Sequence, residues 1–176
     1  ARRAARTIRQ VMPDCNIDLS TDQKITDDVF DRIHQLGHSW FRPKMQAIRE
    51  SRFERSIVLD ADIVVTADIS EVFQILDQCD IAGVEGPSRT EQMLRTELSV
   101  PRCLPLINTG FLVVKASRIL CEFTHNWENS VRESRSKIDQ PTFRDLVYNQ
   151  RNLKFLYLGA EYNVIAIARR LDLWKS

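Results

Sequence analysis

Two aspartates placed directly after an apolar run are the residues of this sequence best suited to chemistry. Asp60 and Asp62 follow the run 57–59, and Ala61 separates them. A buried strand that ends on acids presents them at its carboxyl end, where ligands bind in open α/β sheets. Two such carboxylates repel each other unless a cation lies between them, and a divalent ion held there keeps positions open for phosphate oxygens. The pattern predicts a metal and phosphate site, or else a strand that ends in a solvated turn.

A second polar interruption occurs where Asn108, Thr109 and Gly110 separate two apolar runs. Glycine inside a strand indicates a bulge or a close approach of backbone, so we expect the chain to bend at Gly110. The amide of Asn108 both donates and accepts hydrogen bonds. It is therefore expected either to contact a ligand hydroxyl or to satisfy backbone groups at the bulge.

Four further side chains are candidates because of their places in the predicted elements. Arg42 and Lys44 lie where a helix is expected to begin, and they either reach a phosphate or form a solvated basic surface. Asp139 and Gln140 precede Pro141, and helix capping alone would explain them.

These candidates require an alternation of helices and strands to bring them together. Apolar periodicity and breaker residues predict, in chain order, helix 1–12, strand 15–20, helix 26–37, a helix from Trp40 or Pro43, a strand before Asp60, a helix capped by Asp68 or Ser70, strand 80–86, the bent strand 105–114, helix 119–131, a helix from Asp139 or Gln140, and strand 154–158. Residues 87–103 have no clear period and are expected to cover the crevice as a loop.

Composition limits the function classes. The chain has 176 residues, enough for one domain, and its 25 lysines and arginines nearly balance its 24 acids. This balance disfavours a nucleic-acid surface. The four cysteines form no C-x-x-C pair, and no apolar run approaches the roughly 18 residues that a membrane-spanning helix needs. We expect a cytoplasmic protein without a zinc site, a disulfide framework or a transmembrane segment, and its oligomeric state is open.

The order of these signals resembles that of the nucleotide-diphospho-sugar transferases with a GT-A fold, particularly glycosyltransferase family 8 and its relatives. The likeness extends from Ala1 to about Asn163, and four stretches carry it: Phe41-Arg42-Pro43-Lys44-Met45, the strand from Ile57 to Asp62, Ile107-Asn108-Thr109-Gly110-Phe111, and Ile138-Asp139-Gln140-Pro141. The resemblance implies an α/β fold with a Rossmann-like, mostly parallel sheet and helices on both faces. We expect residues 1–176 to form one such domain.

The resemblance also implies a role for each candidate residue. Asp60 and Asp62 would hold Mn²⁺ or Mg²⁺ against the diphosphate of a nucleotide-sugar donor, a UDP-sugar by this analogy, and Ala61 belongs to the same donor-binding motif. The donor's sugar would be a hexose, passed to a glycan, protein or small-molecule acceptor. The remaining assignments are Asn108, Asp139 and Gln140 to the hydroxyls of the donor sugar, Arg42 to sugar or phosphate, and Thr21 and Asp22 to the nucleotide. Lys44 lies in the same stretch as Arg42 and is expected in the donor-binding site.

Two departures from the family pattern leave other interpretations open. The family's first strand would precede Ala1, and its C-terminal histidine motif, a third metal ligand, has no counterpart after His125. We therefore expect a domain trimmed at both ends, or a degenerate domain that binds a sugar or a partner without turnover. The third interpretation is a haloacid-dehalogenase-type phosphatase, with Asp60 as nucleophile and Asp62 as general acid and base. That family's later acidic pair has no convincing counterpart here.

Overall fold

The computed structural model describes residues 1–37, 43–86, 100–101, 103–134 and 138–163, which form both helices and strands. The helices are α1 (Arg2–Val11), α2 (Lys44–Arg49), α3 (Arg118–Glu133) and α4 (Gln140–Asn149), with 3₁₀ helices η1 (Ser70–Asp77) and η2 (Ala160–Tyr162). The strands are β1 (Asp18–Thr21), β2 (Arg32–Gln35), β3 (Arg55–Leu59), β4 (Ile81–Glu85), β5 (Ile107–Lys115) and β6 (Phe155–Tyr157). The predicted cover 87–103 and a helix start at Trp40 lie largely outside the described residues.

The larger sheet has the strand order β3-β5-β4-β6. Strand β5 is antiparallel to both β3 and β4, whereas β4 and β6 are parallel. Three of these four strands therefore run in one direction, and β5 opposes them. This arrangement agrees with the predicted α/β class and its mostly parallel sheet.

Alternation along β5 gives the sheet two apolar faces. Leu112 packs in a cluster with Phe123 and Trp127 of α3 on one face, while Phe111 packs with Leu76 of η1 on the other. Side chains two residues apart share a face of a strand, so the apolar run 111–114 supplies both faces at once. Helices thus cover both faces, as predicted, and α3 confirms the apolar stripe expected over 119–131.

The smaller sheet pairs β1 with β2 in parallel, and it corrects one prediction. A helix was expected over 26–37, but residues Arg32–Gln35 form a strand. The Val29 N–H donates to Asp27 Oδ1 (3.1 Å) and the Ile17 N–H donates to Asp31 Oδ2 (2.5 Å). Aspartates that accept backbone N–H groups in this way compete with helix formation. Pairing with β1 then satisfies the backbone of β2 as a strand.

A cavity of about 890 Å³ separates the two sheets. Residues of α1, α2, β1 and β3 line it, including Ile8, Ala47 and Ile57. Among the described strands, none pairs with the edges of β1 and β3 that flank this space. The two sheets are tied beside it by Arg52, which donates from Nε and Nη2 to Asp18 (2.8 and 3.0 Å). In the ranges that the structure describes, no helix has the length and apolarity to cross a bilayer.

Candidate functional site

The residues after β3 form a tight turn that exposes both predicted acids. The Asp60 N–H donates to the Gly110 carbonyl (2.8 Å), which continues the pairing of β3 with β5. The Asp60 carbonyl in turn accepts from the Ile63 N–H (3.2 Å) and closes a β-turn. Asp60, Ala61 and Asp62 are all exposed. The motif thus lies at the carboxyl end of a strand, where the sequence places it.

Gly110 gives the Asp60 carboxylate its space. A Cβ atom at residue 110 would lie 2.8 Å from Asp60 Oδ2 and 3.0 Å from Asn108 Oδ1. Any other residue would therefore push the carboxylate off the backbone of β5. The register between β4 and β5 shifts here, because Gly83 opposes Leu112 whereas the next residue of β4 opposes Asn108. The bend predicted at the Asn-Thr-Gly interruption is confirmed, and it serves to seat Asp60.

Asn108 is held by the bulge itself. Its Oδ1 accepts a hydrogen bond from the Gly110 N–H (2.8 Å), and the residue is 4 % exposed. Of the two roles open for Asn108, the structure therefore shows the one in which its side chain satisfies backbone. The amide nitrogen is the group of this side chain that remains to donate to a ligand.

Lys44, the first residue of α2, lies against Asp60. Its Nζ is 2.8 Å from Asp60 Oδ1 and donates to the Thr109 carbonyl at 2.6 Å. The lysine side chain is 12 % exposed and that of Asp60 is 48 % exposed. The predicted phosphate-facing cation thus contacts the predicted metal ligand, and it joins α2 to the ends of β3 and β5.

Asp139 lies on the other side of the bulge. Its Oδ1 accepts from Thr109 Oγ1 (3.0 Å), and its carbonyl accepts from Trp127 Nε1 (3.1 Å). The residue is 2 % exposed. Asp139 precedes α4 as predicted, but its side chain makes no capping hydrogen bond to that helix. Its carboxylate instead fixes the bulge, which places it behind the exposed turn.

Gln140 begins α4 and is partly buried. A Cβ atom at Gly86, just beyond β4, would lie 3.5 Å from Gln140 Oε1. The Gln140 side chain therefore reaches the carboxyl end of β4, in the same layer of strand ends as the bulge of β5.

The structure does not bring every predicted residue to this group. Thr21 ends β1 in the smaller sheet, where its Oγ1 accepts from the Gln23 N–H (3.1 Å) and its carbonyl accepts from the Leu36 N–H (2.8 Å). Asp22 follows it and is exposed. Neither residue is linked to the Asp60 turn by a hydrogen bond that the structure describes. Arg42 lies outside the described residues.

The donors at the turn fit a hard divalent ion that takes most of its ligands from elsewhere. Asp60 and Asp62 supply carboxylate oxygens, and glycine at residue 110 leaves room for Asp60 Oδ2. Within the described ranges, no group of three His, Cys, Asp or Glu side chains is placed to hold a metal. An ion such as Mg²⁺ is held in many proteins by one or two carboxylates, with phosphates and water completing its shell. Asp60 and Asp62 are therefore the residues that could hold such an ion.

Sequence reasoning gave Thr109 no role, although it links both halves of the site. Its carbonyl accepts from Lys44 and its hydroxyl donates to Asp139. The signal in the sequence was the position of Thr109 between Asn108 and Gly110, inside an otherwise apolar strand. That signal marks the bulge, but the partners of Thr109 come from elements 65 and 30 residues away in sequence.

The fold and its strand-end site define an α/β protein of the GT-A type. A model of the family described as nucleotide-diphospho-sugar transferase matches residues 2–165. The chain therefore belongs to that family, and this membership favours the transferase interpretation of the Asp-Ala-Asp motif over the phosphatase interpretation.

The fold is similar to that of the glycosyltransferase GlyE of Streptococcus pneumoniae TIGR4, with a TM-score of 0.66 at 14 % sequence identity. The match covers 98 % of this chain and 45 % of that one, so this chain spans less than half of the GlyE structure. At this identity the likeness shows the fold alone. No curated protein matches the chain.

Proposed function

We propose that this chain is the donor-binding part of a glycosyltransferase that transfers a hexose from a UDP-sugar, with Mn²⁺ or Mg²⁺ held by Asp60 and Asp62. The observation that carries the proposal is the turn at Asp60, exposed at the carboxyl end of β3 and seated on Gly110. Ligands of open α/β sheets bind outside such strand ends. Membership of the family supplies the class of donor.

The residues around the turn would divide the work of binding. The bound ion would neutralise the charge that develops on the leaving diphosphate. Asp60 and Asp62 would hold it, and the ammonium group of Lys44 would add positive charge beside the same oxygens. Asn108, through its amide nitrogen, and Gln140 would contact the sugar hydroxyls. Asp139 is buried behind the bulge, so it would position Asn108 and Thr109 from that side.

The proposal is tested by calorimetric titration of UDP into the chain with and without Mn²⁺, repeated on Asp62→Asn. This variant is preferred to one at Asp60 because Asp60 also pairs with Lys44. We expect UDP to bind only with the metal, and Asp62→Asn to weaken that binding at least about tenfold, since a ligand to the ion loses its charge.

Asp14→Asn is the matched control, because Asp14 is another exposed turn aspartate and lies at the end of α1. It should bind UDP as the unaltered chain does. Metal-independent binding of UDP, or equal affinities for the two variants, would refute the assignment of the metal to Asp60 and Asp62.

Binding without turnover is a second candidate, and the contact between Lys44 and Asp60 favours it, because a fixed lysine can replace a metal's charge. Incubation with UDP-glucose or UDP-galactose and Mn²⁺, followed by assay of free hexose, separates the two. Release of hexose that Asp62→Asn abolishes supports the enzyme. Tight UDP-sugar binding with no release supports the binding protein.

A further inference from the structure

Lys44 is a largely buried cation with a fixed place in the strand-end layer. Its side chain is 12 % exposed, and both oxygens that it contacts belong to the site: Oδ1 of Asp60 and the carbonyl of Thr109. A lysine with so little access to water needs a compensating anion. Asp60 supplies that anion, so one of the two proposed metal ligands is already neutralised by a residue of the chain.

This pairing changes what a divalent ion meets at the turn. Two carboxylates would attract the ion with two negative charges, but the Lys44 ammonium cancels one of them from 2.8 Å away. An ion on Asp60 would also lie within a few ångströms of that ammonium, and like charges at such distances repel. Lys44 therefore opposes the binding of the metal when no nucleotide is present.

A diphosphate reverses this effect. Its anionic oxygens attract the ion and the ammonium together, so they relieve the repulsion between the two cations. An ammonium group has three N–H donors, and the contacts with Asp60 and Thr109 use two of them. One donor is therefore left over for a phosphate oxygen.

We infer that Lys44 makes metal binding at Asp60 and Asp62 conditional on a diphosphate. The inference rests on the proposed function and adds an order to it. The chain binds Mn²⁺ weakly alone, and it binds Mn²⁺ and a nucleoside diphosphate tightly together. Lys44 is then a positioning and gating residue, which holds the Asp60 carboxylate in place until the metal arrives with the nucleotide.

The test measures Mn²⁺ affinity by electron paramagnetic resonance of the free ion, with and without saturating UDP. Four proteins are compared: the unaltered chain, Lys44→Gln, Lys44→Met and Lys154→Gln. Glutamine removes the charge but keeps a donor for Asp60 and Thr109. Lys154 is an exposed lysine beside β6, at the far edge of the larger sheet, so its variant controls for the loss of one positive charge.

We expect Lys44→Gln to bind Mn²⁺ alone about tenfold more tightly than Lys154→Gln, and to lose about tenfold of the coupling between Mn²⁺ and UDP, a change within the usual range of coupling factors. The diagnostic result is that Lys44→Gln raises the affinity for Mn²⁺ alone but lowers the coupling between Mn²⁺ and UDP. Replacing a lysine that served only the fold would weaken Mn²⁺ binding both with and without UDP. Asp60 is half exposed, so water can solvate its carboxylate in both Lys44 variants. Lys44→Met should give the same two signs.

Equal Mn²⁺ affinities for Lys44→Gln and Lys154→Gln in the absence of UDP would overturn the inference, while UDP-dependent binding by the unaltered chain would leave the proposed function standing. Tighter binding of Mn²⁺ alone by Lys44→Gln, with no effect of UDP on any protein, would overturn both the dependence on a diphosphate and the proposed donor, although it would still show that Lys44 opposes the ion. Absence of Mn²⁺ binding by every protein under both conditions would overturn both.

Discussion

Each of the two sheets of this protein is stabilised by a different kind of contact. In the larger sheet, β4 and β5 are almost entirely buried, and their side chains pack against α3, α4 and η1. In the smaller sheet, the residues of β1 and β2 are only partly buried or exposed. Polar contacts secure that sheet: Arg9 donates to the Cys15 carbonyl (2.5 Å) and pairs with Asp31 (2.6 Å).

This difference separates a cooperative core from a region of lower stability. Burial of apolar area is the main favourable term in folding, whereas exposed ion pairs contribute little each. The strand-end site belongs to the larger sheet, since Asp60, Thr109 and Gly110 all extend from β3 or β5. We therefore expect the smaller sheet to open locally while the site remains formed.

The largest expected effect is on the core of the larger sheet. Phe143 is fully buried, and its ring centroid lies 4.7 Å from that of Trp127 and 5.2 Å from that of Phe123. Phe143→Ala should lower the free energy of unfolding by about 3–5 kcal/mol. Ile33→Ala in β2, where the side chain is only partly buried, should cost about 1 kcal/mol. Urea unfolding followed by circular dichroism measures both, and equal costs would contradict the contrast between the sheets.

A smaller effect on stability, with a large one on binding, is expected from Gly110→Ala. The added Cβ would lie 2.8 Å from Asp60 Oδ2, so the carboxylate must move. We expect a loss of about 1–3 kcal/mol in stability and loss of metal-dependent UDP binding. Gly37→Ala is the matched control after β2, because nothing lies within 4 Å of its Cβ position. Retained UDP binding in Gly110→Ala would show that the position of the Asp60 carboxylate against Gly110 is not needed for UDP binding.

The smallest effect is a pH dependence confined to the smaller sheet. The hydrogen bond from the Ile17 N–H, and then Arg9, hold the pKa of Asp31 below its ordinary value. The stabilisation by this carboxylate is thus present above its unfolded pKa of about 3.9 and is lost as the pH falls through the folded pKa. Amide exchange measured between pH 5 and pH 3 should show β1 and β2 losing protection before β4 and β5. Asp31→Asn should remove that difference, and simultaneous loss in both sheets would argue against it.

Most of the larger sheet could be predicted from sequence because its strands and helices carry regular apolar patterns. The strand before Asp60, the bent strand at Gly110 and the stripe of α3 were all predicted on that basis. Strand β2 was not, because two aspartates that bind backbone N–H groups decide it. Periodicity does not show which backbone donors a carboxylate will find.

The candidate site could be predicted in position but less well in detail. An Asp-Ala-Asp motif at a strand end and an Asn-Thr-Gly interruption indicate where side chains converge. The contact of Lys44 with Asp60 and the burial of Asp139 depend on how α2 and α4 pack against β5. Those contacts join residues far apart in the chain, which local patterns do not encode. Thr21 was correctly predicted at the end of a strand, but that strand belongs to the smaller sheet, so Thr21 does not join the Asp60 turn.

The hydrogen bond from the Trp127 indole to the Asp139 carbonyl gives the site an optical signal of its own. Trp127 is fully buried, so its fluorescence emission should lie at short wavelength, and any shift of Asp139 changes the dipole at the indole nitrogen. The chain has three tryptophans, and replacing Trp40 and Trp174 by phenylalanine would leave Trp127 as the single fluorophore. Ligand binding at the bulge of β5 could then be followed in real time without a label.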